Sequence, residues 1–387
     1  MGTLLVSMVA GCKFYTGCPG VDGNGNPPAS TGGASGGQGP SNGGSGASAA
    51  AGAGGSYPIP DGSWVSVTSN LAGLESECGN LSFVSAKPDE DVLLAGVALL
   101  GIWASRDGGG SWDPIGQGKD SDAILNRTSA FVFDPDVPER YWESGIYHGP
   151  GVYLTEDNGD TFKQLGDVTF SDLVSIDFTD PDRQTLVAGE HEASRALNRS
   201  TDGGKTWSSI GSGLPDATNC TYPLVIDSQV YLVGCGGYGG GPAGVYRTTN
   251  GGKTWRVAST AGGAGAPLLA SDGTIYWASP FGGGLARSDD GGETFKTVGT
   301  GVLSNLHPIE LPDRSIAAMG HDGGPVMLSS DRGETWHAVT TRLKNIAVLT
   351  YSDQQRAFFS SYFTCGNGAL PVPDDAIQRY DFDYESN

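Results

Sequence analysis

The sequence predicts an all-β fold, a seven-bladed propeller of four-stranded antiparallel blades, and three observations carry that expectation. An eight-residue turn signature recurs six times, at intervals of 40 to 50 residues. Each copy is preceded by two strand-like runs around a polar turn. The end of the chain lacks one strand that a stretch near residue 62 can supply. A period of this length with one hairpin corner per repeat is the pattern of propeller blades.

The signature occurs at Ser105–Trp112 (SRDGGGSW), Thr155–Phe162 (TEDNGDTF), Ser200–Trp207 (STDGGKTW), Thr248–Trp255 (TTNGGKTW), Ser288–Phe295 (SDDGGETF) and Ser329–Trp336 (SSDRGETW). Its third position is Asp107, Asp157, Asp202, Asn250, Asp290 and Asp331, at successive intervals of 50, 45, 48, 40 and 41 residues. An Asp there accepts backbone N–H bonds inside a tight turn, and the amide oxygen of Asn250 can do the same. A following Gly supplies positive φ. The leading hydroxyl ties the loop to itself. The closing Trp112, Phe162, Trp207, Trp255, Phe295 or Trp336 is an apolar knob for a neighbouring sheet.

This S/T-x-D-x-G-x-T/S-W/F pattern resembles the Asp-box, or bacterial neuraminidase repeat, from about Asp61 to Asp383. The resemblance implies a propeller and a leaning towards glycans. Such propellers include sialidases, xyloglucan-cleaving glycoside hydrolases, sortilin-type receptors and photosystem assembly factors. A shared fold does not carry a shared reaction.

Strand pairs precede every corner, as in LSFVSAKPDEDVLLAG, AFVFDPDVPERYWESG and VSIDFTDPDRQTLVAG. Their β-branched and aromatic content with Pro/Asp/Gly turns reads as hairpins. A third run enters each corner (GVYLTED) and a fourth leaves it (TFKQLG), making four strands per unit. Past Trp336 come a hairpin, NIAVLTYSDQQRAFFSSYF, and one more run, AIQRYDFD, with no seventh corner. Asp61–Val67 (DGSWVSV) reads as the second half of a corner with its exit strand, so it is expected to pair into the last blade and close the ring. The 322 residues from 62 to 383 divide into seven units of 46; six units, the alternative, would each need about 54, longer than any interval observed.

Three regions are expected: a lipoprotein-like leader over 1–17, a tether over 18–56 and the propeller over 57–387. The leader MGTLLVSMVAGC ends in Val9-Ala10-Gly11-Cys12, which resembles a bacterial lipobox with Cys12 as the acylated residue. No Lys or Arg precedes the apolar run, so a start further upstream is expected. The tether, almost entirely Gly, Ser, Ala, Pro and Asn, has nothing with which to bury a core. Together these point to an exported cell-envelope lipoprotein, attached to membrane only through lipid and monomeric.

Cys220 and Cys235 lie symmetrically about Asp227-Ser228, which places them opposite each other on adjacent strands, within disulfide reach. Cys78 enters the first blade and Cys365 leaves the second strand of the last, so a bond between them would latch the closure. Of three possible connectivities, geometry favours this one. Oxidised pairs agree with export. The formal charge of −21 sets aside nucleic acid and anionic membranes as partners. No loop of EF-hand type is present, and neither a metal nor another cofactor is expected.

In a propeller the turns between third and fourth strands lie on one face. The opposite face carries the second-to-third-strand loops and the links between blades. Sorting residues by face collects Glu143, Tyr147 and His148 from blade 2 (WESGIYHGPG), Glu190, His191, Glu192 and Arg195 from blade 3 (GEHEASRAL), Tyr238 from blade 4, and His321 and Asp322 from blade 6 (GHDGGP). Aromatics with carboxylates suit a sugar-binding cleft, so the expected partner is an extracellular polysaccharide, or else an envelope protein. A glycoside hydrolase is the alternative, with Glu143, Glu192 and Asp322 as candidate carboxylates. The sialidase pattern needs an Arg-Ile-Pro-type segment and three converging arginines; the segment is absent, and Arg127, Arg195 and Arg342 are not placed as it requires. Xyloglucan hydrolases of this kind use two tandem propellers, each with one catalytic carboxylate, and this chain has one.

Overall fold

Why the chain forms closed blades follows from where its strand residues go. The computed structural model describes residues 62–386 except 217, 237–240, 281–282, 305, 322, 344–345 and 363–367. Within the compact unit Ile59–Asn387, seven four-stranded antiparallel sheets follow one another. Blade 1 comprises Leu81–Ala86, Leu93–Val97, Gly101–Ser105 and Asp113–Pro114. Blade 2 comprises Arg127–Phe133, Tyr141–Ile146, Val152–Thr155 and Lys163–Gln164. Blade 3 comprises Ser171–Ile176, Leu186–Glu190, Leu197–Ser200 and Ser208–Ser209. Blades 4, 5 and 6 have their strands between Asn219 and Ser259, Leu268 and Val298, and Ile309 and Ala338.

Both faces of each sheet are covered, so alternate side chains pack against opposite neighbours. In blade 3, Val187 joins Tyr231 and Val233 of blade 4, whereas Leu186 and Ala188 join Trp142 and Val152 of blade 2. The sequence from Leu186 to Ala188 is therefore apolar without alternation. That feature follows from the stacking of sheets.

Ring closure follows the expected route. Blade 7 takes Val348–Ser352, Ala357–Ser361 and Ile377–Asp381 from the end of the chain, and Val65–Ser66 as its outermost strand. Val65 opposes Arg379 and Ser66 opposes Gln378. The Val67 N–H donates to the Ile377 carbonyl at 3.0 Å, and the Ile377 N–H donates to Thr68 Oγ1 at 2.9 Å. A small sheet not anticipated from sequence pairs Glu75–Glu77 with Ala369–Pro371 and carries Glu77 towards blade 2.

The six corners share one hydrogen-bond scheme. In the third, Ser200 Oγ receives the Gly204 N–H at 2.8 Å and donates to Asp202 Oδ1 at 2.8 Å. Asp202 also accepts the Thr206 N–H at 2.9 Å and hydroxyl at 2.7 Å. At Asn250 the amide oxygen accepts the Thr254 N–H at 3.0 Å, as anticipated, while the amide nitrogen donates to Thr254 Oγ1 at 2.8 Å. The closing indoles do more than fill space. Trp112, Trp207 and Trp255 each donate their N–H to a carbonyl of the preceding blade or its exit: Val67, Leu165 and Ile210, at 3.1, 3.0 and 3.0 Å. Gly204, at φ +87°, lies so close to Leu165 that a Cβ would stand 2.8 Å from its Cδ1.

On the corner face, Arg183 of blade 3 grips Asp134 of blade 2 through Nε and Nη2 at 3.0 and 2.8 Å, with both side chains almost fully buried. Cys220 and Cys235 are bonded and directly opposed in blade 4. The Cys78–Cys365 pairing and the leader with Cys12 fall outside the described residues, because Cys365 and the chain up to 61 are not among them.

Candidate functional site

The junction of blades 2 and 3, on the face opposite the corners, collects ionisable and aromatic side chains from several segments. Blade 2 ends its second strand at Ile146, and Tyr147 and His148 then turn the chain with φ of 59° and 53°. The link into blade 3 presents Phe170 at φ 51°, and the blade 3 loop presents Glu192 and Arg195 at 56° and 58°. Left-handed φ costs on the order of 1 kcal/mol or more for such residues. Concentration of these positions in facing loops fixes side-chain directions that ordinary turns would leave loose.

Two hydrogen-bonded chains run through the junction. In the first, Glu77 accepts from Arg127 Nε at 2.6 Å with one carboxylate oxygen and meets His148 Nε2 at 2.8 Å with the other. Burial works to raise the Glu77 pKa, but Arg127 and His148 outweigh it and hold the carboxyl below its usual range. The Arg127 guanidinium also stands 4.9 Å over the Tyr147 ring. In the second chain, Asp172 Oδ1 meets His191 Nδ1 at 2.9 Å, and His191 Nε2 meets the Tyr147 hydroxyl at 3.1 Å. Burial alone would lower the His191 pKa; the hydrogen bond and charge of Asp172 overcome it and raise the pKa. Burial, with Glu192 adding to it, pushes Tyr147 up to about 12, so it remains a phenol at neutral pH.

Tyr147 lies edge-on to the His191 ring and against Phe170, which is 40% exposed. Glu192 is open to solvent and approaches His191 Nε2 at 3.7 Å. Five expected residues, Tyr147, His148, His191, Glu192 and Arg195, thus lie on the adjoining loops. Arg195 turns aside to pair with Asp216 at 2.8 Å. Glu190 accepts from Asn198 Nδ2 at 2.6 Å.

Other expectations need correction. Glu143 is no loop residue: it lies within the second strand of blade 2, opposite Phe131 and Tyr153, with no exposed surface. Burial pushes its pKa up to about 8, against the pull of hydrogen bonds from Asn126 and Thr128. It therefore does not stand among the surface loops where the sequence placed it. His321 is exposed in the blade 6 turn, separated from blade 3 by blades 4 and 5, and does not join the cluster. Tyr238 and Asp322 lie outside the described residues. Glu77, Arg127, Phe170 and Asp172 were not anticipated here. Among the described residues, no group of three or more His, Cys, Asp or Glu is arranged to hold a metal ion.

The same face carries much of the exposed apolar surface. Leu99, Leu100, Leu125, Phe170, Val302 and Leu370 are each 38–45% exposed and stand in its loops, links or small sheet. Leu99, Leu100 and Leu125 line a depression of about 490 Å³ between the blade 1 turn and the link to blade 2.

No sequence-family profile and no curated protein sequence matches this chain. Among solved structures it is similar to the GH74 xyloglucanase from Xanthomonas campestris, at 15% identity and a TM-score of 0.53, over 81% of this chain and 44% of that one. An ancestral GH74 enzyme aligns at 15% identity and 0.52, over 82% and 46%. YCF48 bound to a D1 peptide aligns at 16% identity and 0.51, over 85% of this chain and all of that one. The chain therefore spans less than half of either glycoside hydrolase. At these identities the likeness is one of fold.

Proposed function

We propose that this protein binds an extracellular polysaccharide at the junction of blades 2 and 3, on the propeller face opposite the Asp-box-like corners. In this reading the Gly/Ser-rich segment and an acylated Cys12 hold the propeller at the cell envelope. The observation that carries it is the placement of Phe170, Tyr147, His148 and Glu192 on facing loops of left-handed backbone. A flat apolar ring beside carboxylate and imidazole acceptors matches the two kinds of surface a pyranose presents. The GH74 neighbours, one of them a xyloglucanase, support a glycan as the first ligand class to test.

The decisive experiment is retention of the purified propeller on neutral, aminated and uronate polysaccharides, with reducing-end release measured in parallel. Retention lost in Phe170→Ala without sugar release supports a binding module. Turnover would move the protein to the hydrolases, and no retention on any polymer would sink the glycan reading. A protein ligand is the second reading. It is favoured by the exposed Leu99, Leu100, Leu125 and Leu370, and the structural neighbour YCF48 is described with a bound peptide.

A further inference from the structure

We propose that the Asp172–His191–Tyr147 chain is a proton-gated donor, which offers the Tyr147 hydroxyl hydrogen to a ligand oxygen only while His191 is protonated. This rests on the ligand site lying at the same junction and adds how that site is regulated. Asp172 Oδ1, 2.9 Å from His191 Nδ1, fixes a proton on that nitrogen in either charge state. Everything then depends on Nε2, which stands 3.1 Å from the phenol oxygen. In neutral imidazole Nε2 carries only a lone pair, so the Tyr147 O–H must point at it. In imidazolium Nε2 carries hydrogen and donates to the phenol oxygen, and the Tyr147 O–H is released to point elsewhere. One proton gained at His191 therefore reverses one hydrogen bond and frees one donor.

The surroundings favour both states being reached. From the blade 3 strand His191 faces Asp172, from its own loop Glu192 at 3.7 Å, and from blade 2 Tyr147, with the Arg127 guanidinium over the Tyr147 ring opposing its charge. The His191 backbone N–H donates to the Phe170 carbonyl at 2.6 Å, which ties this loop to the link between blades 2 and 3. The phenol itself does not ionise in this range, and it exchanges direction rather than charge. Acidification should therefore tighten binding of a ligand that offers an acceptor oxygen. Alkaline conditions should weaken it with the His191 midpoint.

The test has two arms. In the first, histidine ring NMR of the full chain gives the His191 midpoint in wild type, Tyr147→Phe and Asp172→Asn. A charge-assisted N–H···O bond is stronger than the O–H···N bond it replaces, so Tyr147→Phe should lower the midpoint, and Asp172→Asn should lower it further. An unchanged midpoint in Tyr147→Phe overturns the relay. In the second arm, affinity for soluble xyloglucan is measured across the titration. Wild type should weaken by about five- to tenfold as His191 loses its proton, the worth of one hydrogen bond. His191→Gln and Tyr147→Phe should bind with no such slope. Xyloglucan bound equally at every pH by wild type overturns the gate. Xyloglucan bound at no pH counts against the glycan assignment, while the first arm still decides the relay.

Discussion

Glu143→Gln is the substitution with the sharpest consequence for stability. The native carboxyl has no exposed surface and a pKa pushed up to about 8, against an ordinary value of 4.5. Because the folded value lies above the unfolded one, the folded state holds a proton that the unfolded state has released between these two pH values. The contribution of Glu143 to stability is then greatest below about 4.5, falls as pH rises, and levels off once the folded carboxyl ionises above about 8. The slope in that window is about 1.4 kcal/mol per pH unit. Gln keeps the shape and the bond to Asn126 but does not titrate. The difference in unfolding free energy between wild type and variant should therefore change by about 2.7 kcal/mol between pH 5.5 and 7.5, in favour of the variant at the higher pH. Urea denaturation at pH 5.5, 6.5 and 7.5 measures it, and all other titrations cancel in the difference. A pH-independent difference would show that Glu143 is ionised throughout, and the burial argument would fall.

Removing the Arg183 side chain leaves buried Asp134 with Arg140 Nε, at 2.8 Å, as its remaining cation, so Arg183→Ala should cost about 1.5–3 kcal/mol, read by chemical denaturation; a loss below about 0.5 kcal/mol would mean that Arg140 and water replace the guanidinium in full. Trp207→Phe keeps the ring against Leu165 but deletes the 3.0 Å indole bond and should cost about 1 kcal/mol, whereas Trp207→Ala should cost about 3–5 kcal/mol, both measured as shifts in urea midpoint. Gly204→Ala must meet Leu165 as well as adopt φ +87°, while Gly203→Ala at φ +71° finds its nearest neighbour 3.6 Å away. The first should therefore lower the melting temperature more than the second, and equal losses would remove the packing part of the argument.

Much of the ring is legible in the chain because its repeated parts are local. A corner needs eight residues to satisfy its own backbone, so Asp202 and its five counterparts reveal themselves without any knowledge of the fold. The closing strand at Val65–Ser66 is legible for the opposite reason: the last blade lacks a strand, and ring closure leaves one donor. The Cys220–Cys235 bond follows from symmetry about a turn. The candidate site is less legible because it is built across segments. Tyr147 and His191 announce themselves by type and face. Asp172 is hidden inside a strand, and Glu77 arrives on a small sheet formed with residues from the far end of the chain. Glu143 misleads because a charged residue ending an apolar run reads as the start of a loop. Inward orientation within Tyr141–Ile146 depends on the register with Phe131 and Tyr153, which composition does not reveal.

The outer strand of blade 7 is made first and can be used only last. During synthesis Val65 and Ser66 leave the ribosome more than three hundred residues before the segment they must join, since Thr68 and Ile377 are 309 positions apart. Until Asp381 emerges, the wheel stays open, with blade 1 lacking blade 7 beside it and the Val67 N–H lacking the Ile377 carbonyl that receives it. Completion must therefore be a late step governed by the search of one short segment for a distant edge. A nascent chain arrested before residue 377 would hold six finished blades beside an unclaimed strand.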